Sequence, residues 1–185
     1  MELRTQRLLL RFLRERDFPA FRAIEASSEV MRYERPVPTE EASRKRFGLI
    51  LTADEDQPQK KYWFAITVPP DDTVWGWVIL KENYEEVRQW EIGWYIHPEH
   101  WGLGYASEAA GEVLRFAFED LKVHRVVAMC MAENKASARV MQKLSMTHEA
   151  HLRETIWLND AWHDEEFYAI LEREFFAERG AEKLP

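Results

Sequence analysis

The alternation of apolar and polar side chains in the first third of the chain predicts one strand and two helices. A short apolar run precedes a stretch in which Phe18, Phe21 and Ile24 recur at helical spacing, and Asp17 stands at the expected N-cap. Prolines then interrupt the chain, and Thr39 is the predicted cap of a second helix. The predicted elements are a strand, two helices and a polar loop: residues 7–12, 17–27, 39–53 and 54–61.

The middle of the chain has the pattern of three meandering strands. Two apolar runs flank a Pro-Pro-Asp-Asp turn, which is typical of a hairpin. In the third run Ile92 and Ile96 alternate with Glu91 and Gly93, so that one face of the strand is apolar. The predicted strands are residues 62–68, 74–81 and 89–96.

After residue 97 the pattern changes to alternating helices and strands. A loop with proline and glycine leads into a helix with a clear apolar stripe, and a continuous apolar run then predicts a strand buried on both faces. Asn134 is the predicted cap of another helix. The remaining elements are a strand, that helix, two strands and a charged end with room for one or two helical turns: residues 125–131, 135–144, 147–157, 162–171 and 172–185. This order predicts an α/β (α+β) fold with a mixed sheet and helices on both faces.

Composition narrows the class of protein. The chain has 185 residues, which predicts a single domain, and a net charge of -8, which argues against a nucleic-acid binder. No apolar run is long enough to span a membrane, and residues 1–5 lack the core of a signal peptide, so we expect a cytoplasmic protein. Cys130 is the single cysteine, which excludes an internal disulfide and a cysteine-based metal cluster.

The most informative segment is the loop before the long helix, which contains Gly102 and Gly104. The first turn of a helix leaves backbone N–H groups without partners at the positive end of its dipole, and glycine lets an anion approach them. An ordinary strand-to-helix turn that needs glycine is the competing interpretation. A Rossmann fingerprint and a P-loop are excluded, because Ser107 replaces the third glycine and no Gly-Lys-Ser/Thr sequence follows.

This loop resembles the acetyl-CoA loop of the GCN5-related N-acetyltransferases, Arg/Gln-x-x-Gly-x-Gly/Ala. Gly104 and Ala106 occupy the two small positions, whereas Trp101 departs from Arg/Gln. The longer run from Gly102 to Ala109, Gly-Leu-Gly-Tyr-Ala-Ser-Glu-Ala, is similar to the branch of the family that contains the ribosomal-protein N-terminal acetyltransferases.

A second block extends the resemblance. Asn134 and Ser137, followed by Lys143 and Leu144, have the spacing of that branch, although Ser145 and Met146 replace its usual Gly-Phe. A non-glycine residue at this helix end is expected to cost about 1 kcal/mol of strain. The resemblance covers residues 5–175.

The resemblance implies a mixed, mostly antiparallel sheet of about seven strands whose middle strands splay apart to hold acetyl-CoA. It implies an N-acetyltransferase domain at residues 1–175 and a charged tail at 176–185. Acetyl-CoA is the implied co-substrate, and no metal is implied. The implied cofactor-binding residues are Tyr95, Ile96, His97, Trp101, Gly102, Leu103, Gly104, Tyr105, Ala106, Ser107, Asn134 and Lys143.

Acetyl transfer to an amine needs a base, because the attacking amine must lose a proton. Glu91 is the favoured base, with a salt-bridged strand carboxylate as the competing interpretation. Other candidates are Glu82, His163 and Asp164. Ser137 is the favoured acid toward the thiolate, since it resembles the serine of that branch; the alternative is a hydroxyl that only bonds the backbone of the helix.

We therefore expect an acetyl-CoA-dependent N-acetyltransferase that acts by direct attack in a ternary complex. The acceptor is a primary amine, either a protein N-terminus or a small molecule, and no nucleic-acid or membrane partner is expected. The alternative is a CoA-binding sensor or scaffold that has lost catalysis. A homodimer is compatible with the sequence, which does not define the oligomeric state.

Overall fold

The computed structural model describes residues 1–53 and 58–181. Part of the predicted loop at 54–61 therefore lies outside the described residues. The strands are β1 Glu2–Arg4, β2 Leu9–Phe12, β3 Lys61–Thr67, β4 Gly76–Tyr84, β5 Gln89–Ile96, β6 Arg125–Met131, β7 Thr147–Leu158 and β8 Ala161–Leu171. The helices are α1 Phe18–Ala26, α2 Ser28–Met31, α3 Glu40–Ala53, α4 Tyr105–Glu119, α5 Lys135–Lys143 and α6 Glu172–Ala181.

The strands form one sheet of eight in the order β1-β2-β3-β4-β5-β6-β8-β7. All neighbours are antiparallel except β5 and β6, which are parallel and joined by the α4 crossover. The predicted mixed, mostly antiparallel sheet is thus confirmed.

Three details differ from the prediction. The count of about seven strands was one short, because β1 is only three residues long, too short for its single apolar residue to show a period. The four-residue helix α2, capped by the Ser27 hydroxyl, was also missed. The charged end forms the ten-residue helix α6, whose Phe175 is buried against the core. Because α6 runs across the expected boundary at residue 175, the division into domain and tail stays a prediction.

Apolar clusters lie on both faces of the sheet. On one face α4 packs its apolar stripe over β3 to β6 and β8, as the periodicity predicted. On the other, α1 and α3 cover Trp77, whose ring stacks on Phe21 with centroids 4.6 Å apart. Such aromatic pairs add about 0.5–1.5 kcal/mol beyond their buried area. In the described part of the chain, no helix is both long and apolar enough to cross a membrane.

The site depends on a local separation of β5 from β6. The two strands pair only through residues 89–91 and 125–127, although β5 continues to Ile96 and β6 to Met131. Their carboxyl ends therefore diverge and leave main-chain groups of β5 unpaired by β6. This confirms the expected central splay, and it creates the cavities described below.

Candidate active site

A cleft of about 540 Å³ lies at the splayed end of β5, between the start of α4 and helix α5. Its walls combine main-chain groups of the glycine loop with basic side chains of α5. The cleft is lined by most of the residues predicted to bind the cofactor: Tyr95, Ile96, Trp101, Gly102, Gly104, Tyr105, Ala106, Ser107, Asn134 and Lys143.

The two glycines of the loop both adopt a left-handed backbone conformation. Gly102 and Gly104 adopt φ angles of 76° and 82°, a left-handed region that disfavours residues with a Cβ. Gly104 is the N-cap of α4 and, being glycine, has no side chain to bond the first turn; the Glu108 N–H makes the first helical bond, 3.1 Å to the Gly104 carbonyl. The N–H groups at positions 105–107 therefore have no partner within the helix, and all three residues line the cleft.

An ion pair from the N-terminal segment holds this loop in place. Arg7 Nε donates to Glu108 Oε2 at 2.7 Å, and Arg7 Nη1 donates to the Leu103 carbonyl at 3.1 Å. Burial alone would raise the pKa of Glu108, but hydrogen bonds from Thr5 and Arg7 outweigh it and hold the pKa below its usual value. Sequence reasoning missed this clamp because its partners lie about a hundred positions apart.

The hydrogen-bond alternation of β5 decides which main-chain groups face the gap. The His97 N–H bonds back to the Trp75 carbonyl, 2.8 Å away, so the odd-numbered residues of β5 bond β4. The even-numbered Trp94 and Ile96 therefore turn their main-chain groups toward the splay. The Trp101 indole N–H donates to the Ile96 carbonyl at 2.8 Å and occupies part of its bonding capacity. This pattern favours Trp94 over Tyr95 and His97 as a main-chain partner for an extended ligand.

Two predicted cofactor residues lie outside the described lining of the cleft. Leu103 is half exposed, and His97 Nδ1 accepts a hydrogen bond from the Glu99 N–H at 3.4 Å. His100 lines the cleft instead and stacks on Trp75 with ring centroids 3.9 Å apart. Burial, together with the neighbouring His97, lowers the pKa of His100, which favours a neutral ring.

Basic side chains concentrate around the cleft. Arg32, Lys135, Arg139 and Lys143 all line it. These cations, together with the helix N-terminus, suit a ligand with several phosphate groups.

A second cavity of about 410 Å³ opens on the opposite side of the splay, on the sheet face that α1 and α3 cover. It shares five residues with the cleft, so the two cavities meet at the splay. The shared residues are Glu34, Trp94, Tyr95, Asn134 and Ser137. A ligand in the cleft can therefore present one end to a second ligand in this cavity.

Glu91, the favoured base, lines the second cavity. Its carboxylate is mostly buried and lies 2.9 Å from Lys81 Nζ, its cross-strand neighbour, so the salt bridge considered from sequence is present. Glu34 is a further candidate that the sequence did not indicate, since it follows α2 in a loop without a motif. The Tyr95 hydroxyl donates to Glu34 at 2.8 Å. Glu34 is solvent-accessible as a residue, but desolvation of its carboxylate at this junction raises its pKa, despite the hydrogen bond from Tyr95.

The other candidate bases are engaged elsewhere, outside the described lining of both cavities. Glu82 pairs with Lys60 at 2.9 Å, and His163 lies 3.3 Å from Glu133. Asp164 accepts a hydrogen bond from the Glu154 N–H, which is the main cause of its lowered pKa. Among the described residues, no group of three or more His, Cys, Asp or Glu side chains is placed to hold a metal ion.

Helix α5 begins as predicted. Asn134 Oδ1 accepts from the Ser137 N–H at 3.1 Å, which confirms Asn134 as the cap, and the Ser137 side chain lies where the two cavities meet. Desolvation raises the pKa of the nearby Cys130 thiol to about 11, which suits a small core residue rather than a nucleophile. At the other end of the helix Ser145 has φ 56°, the strained conformation that the sequence predicted.

Comparison with known proteins agrees with this geometry. Residues 7–147 match the model of the acetyltransferase (GNAT) domain. The uncharacterized N-acetyltransferase YnaD of Bacillus subtilis is 34% identical over 176 residues, which cover 95% of this chain and 99% of YnaD. The chain belongs to the GNAT acetyltransferase family.

Solved structures of other GNAT proteins have the same fold. An acetyltransferase of the GNAT family from Bacillus anthracis superposes with a TM-score of 0.82 at 33% identity, over 94% of this chain and 100% of that one. The spermidine N-acetyltransferase of Vibrio cholerae, solved with CoA and spermine, superposes with a TM-score of 0.81 over 93% of this chain and 99% of that one. Its identity of 21% shows likeness of fold alone.

Proposed function

We propose that this GNAT acetyltransferase moves the acetyl group of acetyl-CoA to a primary amine by direct attack in a ternary complex. The observation that carries the proposal is the meeting of two cavities at the β5–β6 splay. One cavity has unpartnered helix N–H groups and the basic side chains of α5, the other has Glu91, and Glu34 lies where the two meet. The narrower similarity to ribosomal-protein acetyltransferases stays a prediction.

The cleft fits the chemistry of coenzyme A. The N–H groups of residues 105–107 would hold the diphosphate, and Lys143 and Arg139 would meet an outlying phosphate. The main-chain groups of Trp94 and Ile96 would bond the pantetheine amides. Acetyl-CoA supplies a thioester, whose carbonyl carbon is the electrophile.

The second cavity provides the groups that proton transfer requires. A carboxylate, Glu91 or Glu34, takes the proton from the acceptor amine as the new N–C bond forms. The C–S bond then breaks, and Ser137 donates a proton to the departing sulfur. Ser137 regains a proton from water, and the carboxyl group releases the amine proton to water. No acyl-enzyme is needed, which agrees with the neutral, buried Cys130.

Binding and turnover should be measured separately. Calorimetric titration with CoA tests the cleft, and thiol release from acetyl-CoA with a panel of amines tests transfer. Saturable binding and amine-dependent release are expected. Binding without release across the panel would favour the sensor or scaffold, and absence of binding would refute both interpretations.

Carboxylate variants locate the base. Glu91→Gln and Glu34→Gln should each be made, and the one that removes the base should lower kcat by about 10²–10⁴-fold. Glu82→Gln is the matched control, because Glu82 lies on the neighbouring strand outside both cavities. If neither variant changes kcat, the base lies elsewhere.

Ser137→Ala is expected to slow turnover with CoA affinity near normal, and unchanged turnover would remove Ser137 from the mechanism.

A further inference from the structure

Two arginines, Arg35 and Arg46, line the second cavity, and Arg46 lies beside Trp63 of β3, on the side of the cavity away from the splay. Both guanidinium groups approach the same oxygen of Glu25, at 2.9 Å and 3.0 Å. Glu25 is fully buried, and its other oxygen makes no hydrogen bond of standard geometry to the described residues. One carboxylate therefore faces two permanent positive charges.

Neither arginine is saturated by these contacts. A guanidinium has five N–H donors, and in the described part of the chain Glu25 is the carboxylate that each side chain contacts. Both side chains are about one-quarter to one-third exposed, at 37% and 26%, so their remaining donors are open to the cavity. Arg22 also attracts Glu25, and Glu34 attracts Arg35, so three arginines face two carboxylates. This end of the cavity thus has excess positive charge and spare donors in a partly desolvated setting, which suits a carboxylate ligand.

The opposite end carries two carboxylates, Glu91 and Glu165, against one cation, Lys81, which pairs with Glu91 at 2.9 Å. Glu91 lines the cavity near the splay, and Glu165 lies on the same sheet face across the gap. Desolvation, with a further contribution from Glu91, raises the pKa of Glu165, which agrees with their proximity. An ammonium group is favoured here, and this is the end that meets the thioester.

An apolar floor joins the two ends. Trp63, Ile79 and Gly93 are in register on β3, β4 and β5 and face the cavity. The Arg46 guanidinium carbon lies 5.8 Å from the Trp63 ring centroid, and a Cβ added at Gly93 would meet no described atom within 4 Å beyond its chain neighbours. This floor is two strand spacings wide, about 10 Å, which is the scale of the expected separation between the two ligand charges.

From this arrangement we infer that the acceptor is a small primary amine that also carries a carboxylate, separated from the nitrogen by an apolar spacer. Arg35 and Arg46 bind the carboxylate, and the amine lies beside Glu91 at the splay. The inference rests on the proposed function for the role of the amine, but the carboxylate subsite can be tested by binding alone.

Three probes of equal length differ only in the group at the far end: 6-aminohexanoate, its primary amide and 1,6-diaminohexane. A second set, 4-aminobutyrate with its primary amide and the diamine of equal length, tests a shorter distance between the two end groups. Each is titrated calorimetrically into the CoA-loaded protein, and each is assayed for thiol release from acetyl-CoA. The carboxylate is expected to bind about 10- to 100-fold tighter than the amide, as for charge-assisted hydrogen bonds.

Arg46→Gln and Arg35→Gln should each abolish most of that preference, while CoA affinity is unchanged. Each single variant leaves one arginine for Glu25, and thermal unfolding checks that the fold is kept. Arg44→Gln is the matched control, since Arg44 lies on the same helix and pairs with Glu15 outside the cavity. Arg46→Lys, which keeps the charge but not the planar fork, should restore part of the preference.

The inference is overturned if the amide or the diamine binds as well as the carboxylate, or if no carboxylate binds at millimolar concentration. A carboxylate preference that survives both arginine substitutions also overturns it. Selective carboxylate binding without thiol release would refute the proposed transfer and leave the subsite intact. Rapid release with the diamine would support transfer and refute the subsite.

Discussion

Alanine substitution of two glycines, one at the N-cap of α4 and one inside it, is expected to change the stability of the fold in opposite directions. Gly104 caps α4 with φ 82°, whereas Gly111 lies in the interior of the same helix. A Cβ at Gly104 would meet Arg7 Nη2 at 3.5 Å, and one at Gly111 would meet Leu144 Cδ2 at 3.6 Å. Both are ordinary contacts, so neither alanine is expected to clash, and backbone conformation alone should set the difference.

The magnitudes follow from the backbone. Gly104→Ala should destabilise the fold by about 1–2 kcal/mol, because a left-handed conformation is strained for an L-residue. Gly111→Ala should stabilise it by about 0.5–1 kcal/mol, since glycine is a poor helix former. For a domain of this size each kcal/mol moves the Tm by about 2–4 °C.

The two alanine variants are also expected to differ in their affinity for coenzyme A. Gly104→Ala places a methyl group beside the N–H groups that would hold the diphosphate, so CoA should bind more weakly, and Gly104→Val should weaken it further. Gly111→Ala should leave CoA affinity unchanged. Thermal unfolding and calorimetric titration with CoA measure both effects. Equal Tm values for Gly104→Ala and the native protein would refute the strain argument, and unchanged CoA affinity in Gly104→Val would refute the diphosphate site.

Two further predictions concern titratable groups. Because burial raises the pKa of Cys130 to about 11, iodoacetamide should modify it slowly in the native protein at pH 8 and rapidly in denaturant; fast native labelling, measured by mass spectrometry, would contradict this. The folded pKa of Glu108 is lowered, so its stabilisation is present above the ordinary carboxyl pKa and fades as pH falls through the folded pKa. Glu108→Gln should therefore lower the Tm at neutral pH and converge with the native protein in acid, whereas a gap that is constant with pH would refute the linkage.

The local pattern of apolar and capping residues predicted much of the fold. The bounds of β5 and β6 follow directly from apolar runs, and the caps at Thr39 and Asn134 were predicted from residue type alone. These features depend on a few neighbouring residues, so side-chain periodicity and residue type predict them. Short elements such as β1 and α2 were not predicted, because three or four residues cannot display a period.

The candidate site divides in the same way. The glycine loop and the Asn134–Ser137 block were recognisable because their chemistry requires fixed residue types at fixed spacing. Glu34, Arg35 and Arg46 were not, since loops and a distant helix bring them to the cavity without any sequence periodicity. The same holds for the clamp between Arg7 and Glu108.

The sequence by itself determined the family of this protein, the order of most of its strands and helices, and the glycine loop before α4. The tertiary structure decided which main-chain groups of β5 face the splay, which carboxylates line the second cavity and where the two arginines lie. The physical reason is the sequence separation of the interacting residues. Backbone conformation and amphipathic packing depend on residues adjacent in the chain. Charge pairing across a cavity depends on contacts between segments far apart in the chain, whose positions only the packed fold defines.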